Sequence, residues 1–209
     1  MTGKLRVAFP CYNMETYNWE RTSIVLEALS KVVDLEVFHF EGEASPDVVW
    51  CRFVKVPHPG SMVNLHSLSR DAVHILTCLS DFDVLYCWSG GAYFQLLNVL
   101  IAQAAKKPLV MHINGDGALS RKHHLSPMDK LLQDSVDFLT LNNVDLVVPI
   151  SSVLKSAVEG RVKHGRVSEP VPFTVDVEQF SPQPFPSELT VGYGGRVSPE
   201  KGFPFFTDV

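Results

Sequence analysis

The sequence predicts an α/β protein built on a parallel sheet with helices on both faces, and three observations carry that expectation. Apolar runs of strand length alternate with segments of helical period along the chain, the order in which βαβ units are written. Several of the strand-length runs carry apolar residues on both faces, as strands buried on both sides do and strands with one wet face do not. With 209 residues, 45% of them hydrophobic and 20% charged, the chain can bury a sizeable core without disulfides or a structural metal.

The elements follow in order. Leu5 to Phe9 reads as the first strand, and the aromatic, polar loop from Pro10 to Trp19 leads into a helix over 20–32. Leu35 to Phe40 and Val48 to Val56 are the next strands. The clearest helix spans 62–79, where Leu65, Leu68, Ala72, Ile75, Leu76 and Leu79 recur at a 3.6-residue period and mark a core-facing stripe. Val84 to Trp88, Leu109 to Ile113, Leu146 to Ile150 and Val167 to Pro172 complete the strands, with helices between most of them. The arrangement is Rossmann-like. No internal repeat or low-complexity tract interrupts it.

Composition removes several classes of function. The net charge is −5 and no dense run of Lys or Arg appears, so nucleic acid is not an expected partner. Arg121-Lys122-His123-His124 is short and reads as a solvated loop. Cys11, Cys51, Cys78 and Cys87 lie far apart without a C-x-x-C spacing and read as reduced core thiols. The histidines do not pair with Cys, Asp or Glu at ligand spacings, so no metal and no cofactor is expected. Residues 1–6 lead straight into a strand without a cleavable apolar region, and the apolar run 96–105 is broken by Asn98 and Gln103. The expected location is the cytoplasm, with peripheral contact at a membrane surface left open.

Ser181-Pro182-Gln183-Pro184-Phe185-Pro186 reads as a linker. The expected organisation is therefore a domain over 1–180, a linker over 181–188, and the start of a second domain over 189–209. In that last segment a strand at 189–193 runs into Gly194-Gly195-Arg196, and Ser198-Pro199-Glu200-Lys201 has the form of a helix start with Pro just inside it. Glycine-turn and helix-start amides, the Arg196 fork and the Lys201 ammonium suit a diphosphate, with Gly195 allowing close backbone approach. The other reading is ordinary punctuation between strand and helix.

Ligands of open parallel sheets bind beyond the carboxyl ends of the strands, and four clusters fall there. In the first loop Tyr17, Asn18 and Trp19 either stack a bound ligand or simply pack the loop. In Trp88-Ser89-Gly90-Gly91 the glycines make either a tight turn or a site for an anion or sugar hydroxyl. His112, Asn114 and Asp116 form the most polar strand end; His112 is either a general base or a half-buried strand histidine with a satisfied partner. Ser151 caps the following helix and also lines the cleft.

Two segments taken together resemble a known family. Pro172-Phe173-Thr174-Val175-Asp176-Val177-Glu178-Gln179-Phe180-Ser181-Pro182, followed by Val191-Gly192-Tyr193-Gly194-Gly195-Arg196-Val197-Ser198-Pro199-Glu200-Lys201-Gly202, is similar to the interdomain stretch and following turn of family-four glycosyltransferases of GT-B fold. Their pattern is Val-Pro-Asn-Gly-Val-Asp-x-x-x-Phe-x-Pro, then Gly-Arg-Leu-x-x-x-Lys-Gly. Phe82 to Ser89, Lys107 to Gly115 and Asn143 to Ser152 resemble further family segments in the right order. The chain departs at three places. Phe173-Thr174 stands for Asn-Gly, Tyr17-Asn18 for a Gly-Gly pair, and Asn114 for the active-site His, with His112 two residues earlier.

The resemblance implies the N-terminal, acceptor-side half of an enzyme that moves a sugar from a nucleotide-diphosphate donor to a hydroxyl acceptor, with retention of configuration. It gives Arg196 and Lys201 to the donor diphosphate. The acceptor is a sugar, a lipid-linked compound or a small molecule. The family's paired glutamates fall beyond residue 209, so residues 1–209 alone are expected to be inactive. Phe203, Phe205 and Phe206 in the truncated second domain need a partner, and the expectation is a disordered tail, packing on the first domain, or a dimer through residues 189–209. Two alternatives are a nucleotide-sugar epimerase of similar shape and a non-catalytic GT-B-like binding module.

Overall fold

A computed structural model describes residues 3–11, 16–40, 47–56, 65–89, 91–114 and 126–173, with Val177, Pro184, Ser187 and Glu188. The chain divides into two compact units, Met1–Val175 and Asp176–Val209. The expected linker and second-domain segment lie largely outside the described residues, and the sheet with its helices belongs to the first unit.

Seven strands form one sheet in the order β3-β2-β1-β4-β5-β6-β7, all of whose neighbours run parallel. They are β1 (Arg6–Pro10), β2 (Asp34–Phe40), β3 (Arg52–Val56), β4 (Val84–Trp88), β5 (Leu109–Ile113), β6 (Leu146–Pro149) and β7 (Arg166–Val167). Helices α1 (Thr16–Ser30), α2 (Leu65–Cys78), α3 (Ala92–Ala105), α4 (Pro127–Asn143) and α5 (Ser152–Glu159) lie between them. This is the Rossmann-like α/β fold the alternating pattern predicts.

Side chains alternate across the pleat and sort into two cores. Ala8, Phe38, Leu85, Cys87, Leu109, Met111 and Val147 point to one face, where Leu68, Ala72 and Ile75 of α2, Leu97 and Ile101 of α3, Leu141 of α4 and Leu154 of α5 cover them. Val7, Phe9, Leu35 and Val37 point to the other, under Leu26 and Trp19 of α1. Leu68, Ala72, Ile75 and Leu76 of the stripe read from the sequence over 62–79 therefore form the core-facing edge of α2. Glu36, almost fully buried in β2, accepts from Arg52 Nη1 at 2.8 Å and from the Ser80 amide and hydroxyl at 2.8 and 2.7 Å. One carboxylate thus ties β2 to β3 and to the end of α2, and its own hydrogen-bond partners offset the cost of burying it.

Among the element boundaries that differ from the sequence expectation, three have a clear local reason. Strand β3 begins at Arg52 rather than Val48 because its register sets Arg52 opposite Glu36; extending it backward would place Val48 and Val49 against the turn that precedes β2. β7 has two residues instead of six, since Pro170 and Pro172 have no N–H to give a ladder. Beyond it the chain still follows the sheet, with Ser168 N–H donating to Val147 O at 2.9 Å and Val171 N–H to Pro149 O at 2.8 Å. Helix α1 starts at Thr16, four residues early. Tyr17 and Asn18 are compatible with a helix, whereas a Gly pair there would cost about 2 kcal/mol, so the helix extends back into the expected loop.

All four cysteines are free thiols. Burial pushes the Cys51 and Cys87 thiols up to about 12, so both stay protonated and unreactive at neutral pH.

Candidate functional site

The strand order reverses between β1 and β4. The chain leaves β1 toward β2 on one side, and the strands from β4 onward build out on the other; in open parallel sheets the crevice that takes ligands lies at the carboxyl ends beside such a reversal. The residues that follow the ends of β1, β4 and β5 are Cys11, Ser89 and Asn114, and Ser151 lies two positions beyond β6.

Two of the expected clusters are brought together here. Ser89 N–H donates to the His112 carbonyl at 2.8 Å, and Asn114 N–H donates to Ser89 Oγ at 3.1 Å. The loops after β4 and β5 are thereby tied at the sheet's edge. Asn114 Oδ1 is buried yet has no hydrogen-bond partner among the described residues. A buried, unpaired amide oxygen costs about 1–3 kcal/mol, and a ligand hydroxyl or N–H would satisfy it.

His112 is placed differently from a general base. Its side chain is almost completely buried and both ring nitrogens are engaged. The Trp88 indole Nε1–H, which can only donate, points to Tyr86 Oη at 3.2 Å. The Tyr86 hydroxyl lies 2.9 Å from His112 Nδ1, and His112 Nε2 lies 3.1 Å from the Val171 carbonyl, which can only accept. Those constraints fix every proton: Tyr86 O–H donates to Nδ1, and Nε2–H donates to Val171 O. Burial holds the imidazole below its ordinary range, against the Val171 hydrogen bond that favours the charged form, and it pushes the Tyr86 hydroxyl up to about 12. The ring is a neutral, oriented strut, and the satisfied-partner reading describes it. Phe173 closes over it, with ring centroids 5.4 Å from Trp88 and 5.9 Å from His112.

Trp19 packs rather than faces the crevice: its ring stacks on Trp50 at 6.1 Å and 3° and leans on Phe53 at 5.5 Å. Ser151 caps α5, accepting from Leu154 N–H at 3.3 Å. Gly91 is the N-cap of α3 without a side-chain cap, and a Cβ there would meet open space, so neither close packing nor backbone conformation demands glycine at that point. Gly90, Asp116, Gly195, Arg196, Lys201 and the side chains of Tyr17 and Asn18 lie outside the described residues. Among the described residues no group of three or more His, Cys, Asp or Glu could hold a metal ion, and no helix is long and apolar enough to cross a membrane.

Tyr86 and Val171 belong to this cluster and were not singled out from the sequence, where Phe173 was noted only as standing in place of an Asn. Tyr86 carried one usable signal, a hydroxyl inside an otherwise apolar strand, which needs a partner when buried.

No protein-family model matches the sequence, and no curated protein matches it. Solved structures do match in fold. Anabaena HepE, in complex with UDP and glucose, superimposes with a TM-score of 0.57 at 15% identity, over 86% of this chain and 47% of that one. A sucrose-phosphate synthase structure from Thermosynechococcus elongatus gives 0.52 at 10% identity, over 83% and 92% of the two chains. LpCGTa in complex with UDP gives 0.50 at 12% identity, over 82% and 52%. These neighbours are GT-B glycosyltransferases, and the likeness establishes the Rossmann-like fold. The chain spans about half the length of HepE.

Proposed function

We propose that this chain is the N-terminal, acceptor-side half of a family-four-like glycosyltransferase that moves a sugar from a nucleotide-diphosphate donor to a hydroxyl acceptor. The observation that carries the reading is the overlap of 86% of the chain with one half of a protein solved with UDP and glucose. The Gly194-Gly195-Arg196 turn and Lys201 follow in sequence where a second nucleotide-binding half would begin. In the reaction the C–O bond from the sugar to the diphosphate breaks and negative charge grows on phosphate oxygens. Arg196 and Lys201 stabilise that charge as it forms. The strand ends of the first unit hold the attacking hydroxyl, for which Asn114 Oδ1, without a partner among the described residues, is a ready acceptor. His112 has no free nitrogen with which to take the proton, so that task falls to another group, and Asp116 is the nearest carboxylate in sequence. Residues 1–209 alone turn over no donor.

A non-catalytic binding module is the second reading, favoured by one observation: the histidine nearest the family's active-site position is closed into the Tyr86–His112–Val171 network. Transfer, hydrolysis and epimerisation of a panel of nucleotide sugars by the longest open reading frame containing this chain separate the possibilities. Transfer that is lost in an Arg196→Ala, Lys201→Ala double variant supports the transferase. Epimerised donor without transfer selects an epimerase, and donor binding without turnover selects the module.

A further inference from the structure

Helix α4 carries its charge in an unusual place. It packs on the sheet side through Val136, Thr140 and Leu141, all buried. On the opposite side Met128, Leu131, Leu132, Phe138 and Leu139 are 49–73% exposed. At 3.6 residues per turn these five, with Ser135 and Asn142, fall within a stripe about 120° wide that runs the helix's length of about 25 Å. No charged residue occupies a stripe position: Lys130, Asp134 and Asp137 fall outside it, as does Asp129 by its place in the turn, and Asp137 accepts from Gln133 at 2.9 Å. Single exposed leucines are normal on a folded surface, whereas a continuous outward row of five large apolar side chains marks a contact surface.

The border of that row identifies its partner. Lys163 Nζ sits 5.1 Å above the Phe138 ring centroid, which places Lys163 at the edge of the stripe, and the rest of the segment from Arg161 to Arg166 adjoins it in sequence. This segment reads Arg-Val-Lys-His-Gly-Arg without one acidic residue, and Arg161, Lys163, His164 and Arg166 are exposed. An apolar helix face lying flat with cations at its rim is the pattern of an interfacial helix on an anionic lipid surface, where the face enters the acyl boundary and the cations meet headgroups. A second copy of this chain would bring the same cationic rim against itself around a shared apolar stripe. We infer that the outward face of α4, with the 161–166 segment, docks the protein on anionic membrane. The proposal is independent of the transferase reading.

Vesicle co-sedimentation of the protein tests it, using phosphatidylcholine alone and phosphatidylcholine with about one quarter phosphatidylglycerol, the partition of each variant being compared at low and high salt. The expected result is binding to the anionic vesicles at least about tenfold stronger than to neutral ones, weakened by salt. A Leu131→Gln, Leu132→Gln, Leu139→Gln variant and an Arg161→Glu, Lys163→Glu variant each lose about tenfold or more, with circular dichroism unchanged because all five positions are exposed. Equal binding by the wild-type protein and either variant overturns the inference, as does absence of binding to anionic vesicles. Concentration-dependent self-association abolished by the triple-leucine variant, without vesicle binding, would overturn it in favour of an interface between copies.

Discussion

His112 Nε2–H donates to the carbonyl of Val171, 3.1 Å away and fifty-nine residues later in the chain. This bond fixes the last part of the first unit to the middle of its sheet, at the point where the chain leaves β7. It is one end of a line that starts at the Trp88 indole and passes through the Tyr86 hydroxyl, and Phe173 covers it. A buried imidazole whose two nitrogens face one donor and one acceptor has a single stable tautomer. Its contribution is to shape and rigidity, and the chemistry of the site has to come from neighbours at the strand ends.

The neutral state of this network makes stability depend on pH. Burial holds His112 below its ordinary 6.5, so in acid the unfolded chain binds a proton that the native chain does not. Native stability is therefore complete above pH 6.5 and falls as the pH drops through 6.5 toward the lower native value. Tyr86, pushed up to about 12, does not titrate in that window. Urea unfolding midpoints of the wild type should fall between pH 7 and 5, and His112→Gln, which cannot take the proton, should show a shallower fall. Equal slopes in the two proteins would mean that His112 titrates as it does in the unfolded chain.

A second consequence of local geometry lies at the end of α3. Lys106 adopts the left-handed conformation, φ 55° and ψ 43°, so that its N–H reaches Gln103 O at 3.1 Å and Lys107 N–H reaches Ala102 O at 2.9 Å. This termination favours glycine, and an L side chain there costs about 1 kcal/mol or more. Lys106→Gly should raise the unfolding free energy by about 1 kcal/mol, less the entropy glycine returns to the unfolded chain. Chemical denaturation reads the difference, and a loss of stability would show that the lysine side chain makes compensating contacts.

Much of this architecture was legible in the sequence because its signals are local. The four runs Leu5–Phe9, Leu35–Phe40, Val84–Trp88 and Leu109–Ile113 carry apolar residues on both faces, and each is a strand within a residue of its expected bounds. The 62–79 stripe shows at helical period in the same way. The hidden features depend on distant partners. Nothing near His112 in sequence says that Tyr86 and Val171 will meet its two nitrogens, and the same residue reads equally well as a base until both are in place. Trp19 carried a similar ambiguity, resolved by Trp50, thirty-one positions away, stacking on its ring. β7 is shorter than its composition suggests because an extended, proline-containing segment has the residues of a strand without the N–H groups that make a ladder.

Asn114 supplies the sharpest link between this fold and its proposed chemistry. Its backbone N–H is held by Ser89 Oγ, which fixes the position of the residue at the end of β5, while its buried Oδ1 has no partner among the described residues. Removal of the amide therefore takes away an acceptor that none of the described residues uses. Asn114→Ala should leave stability unchanged or raise it by up to about 1 kcal/mol, because a desolvated unpaired oxygen is deleted and the backbone bond is kept. The same change should weaken acceptor binding about tenfold, which corresponds to roughly 1.4 kcal/mol for one lost hydrogen bond. Thermal or urea unfolding gives the first quantity, and the acceptor KM in the transfer reaction gives the second. The two effects run in opposite directions only if the oxygen is reserved for a ligand. If stability drops and the acceptor KM is unmoved, Asn114 belongs to the scaffold, and the hydroxyl must be held by residues outside this pair of loops.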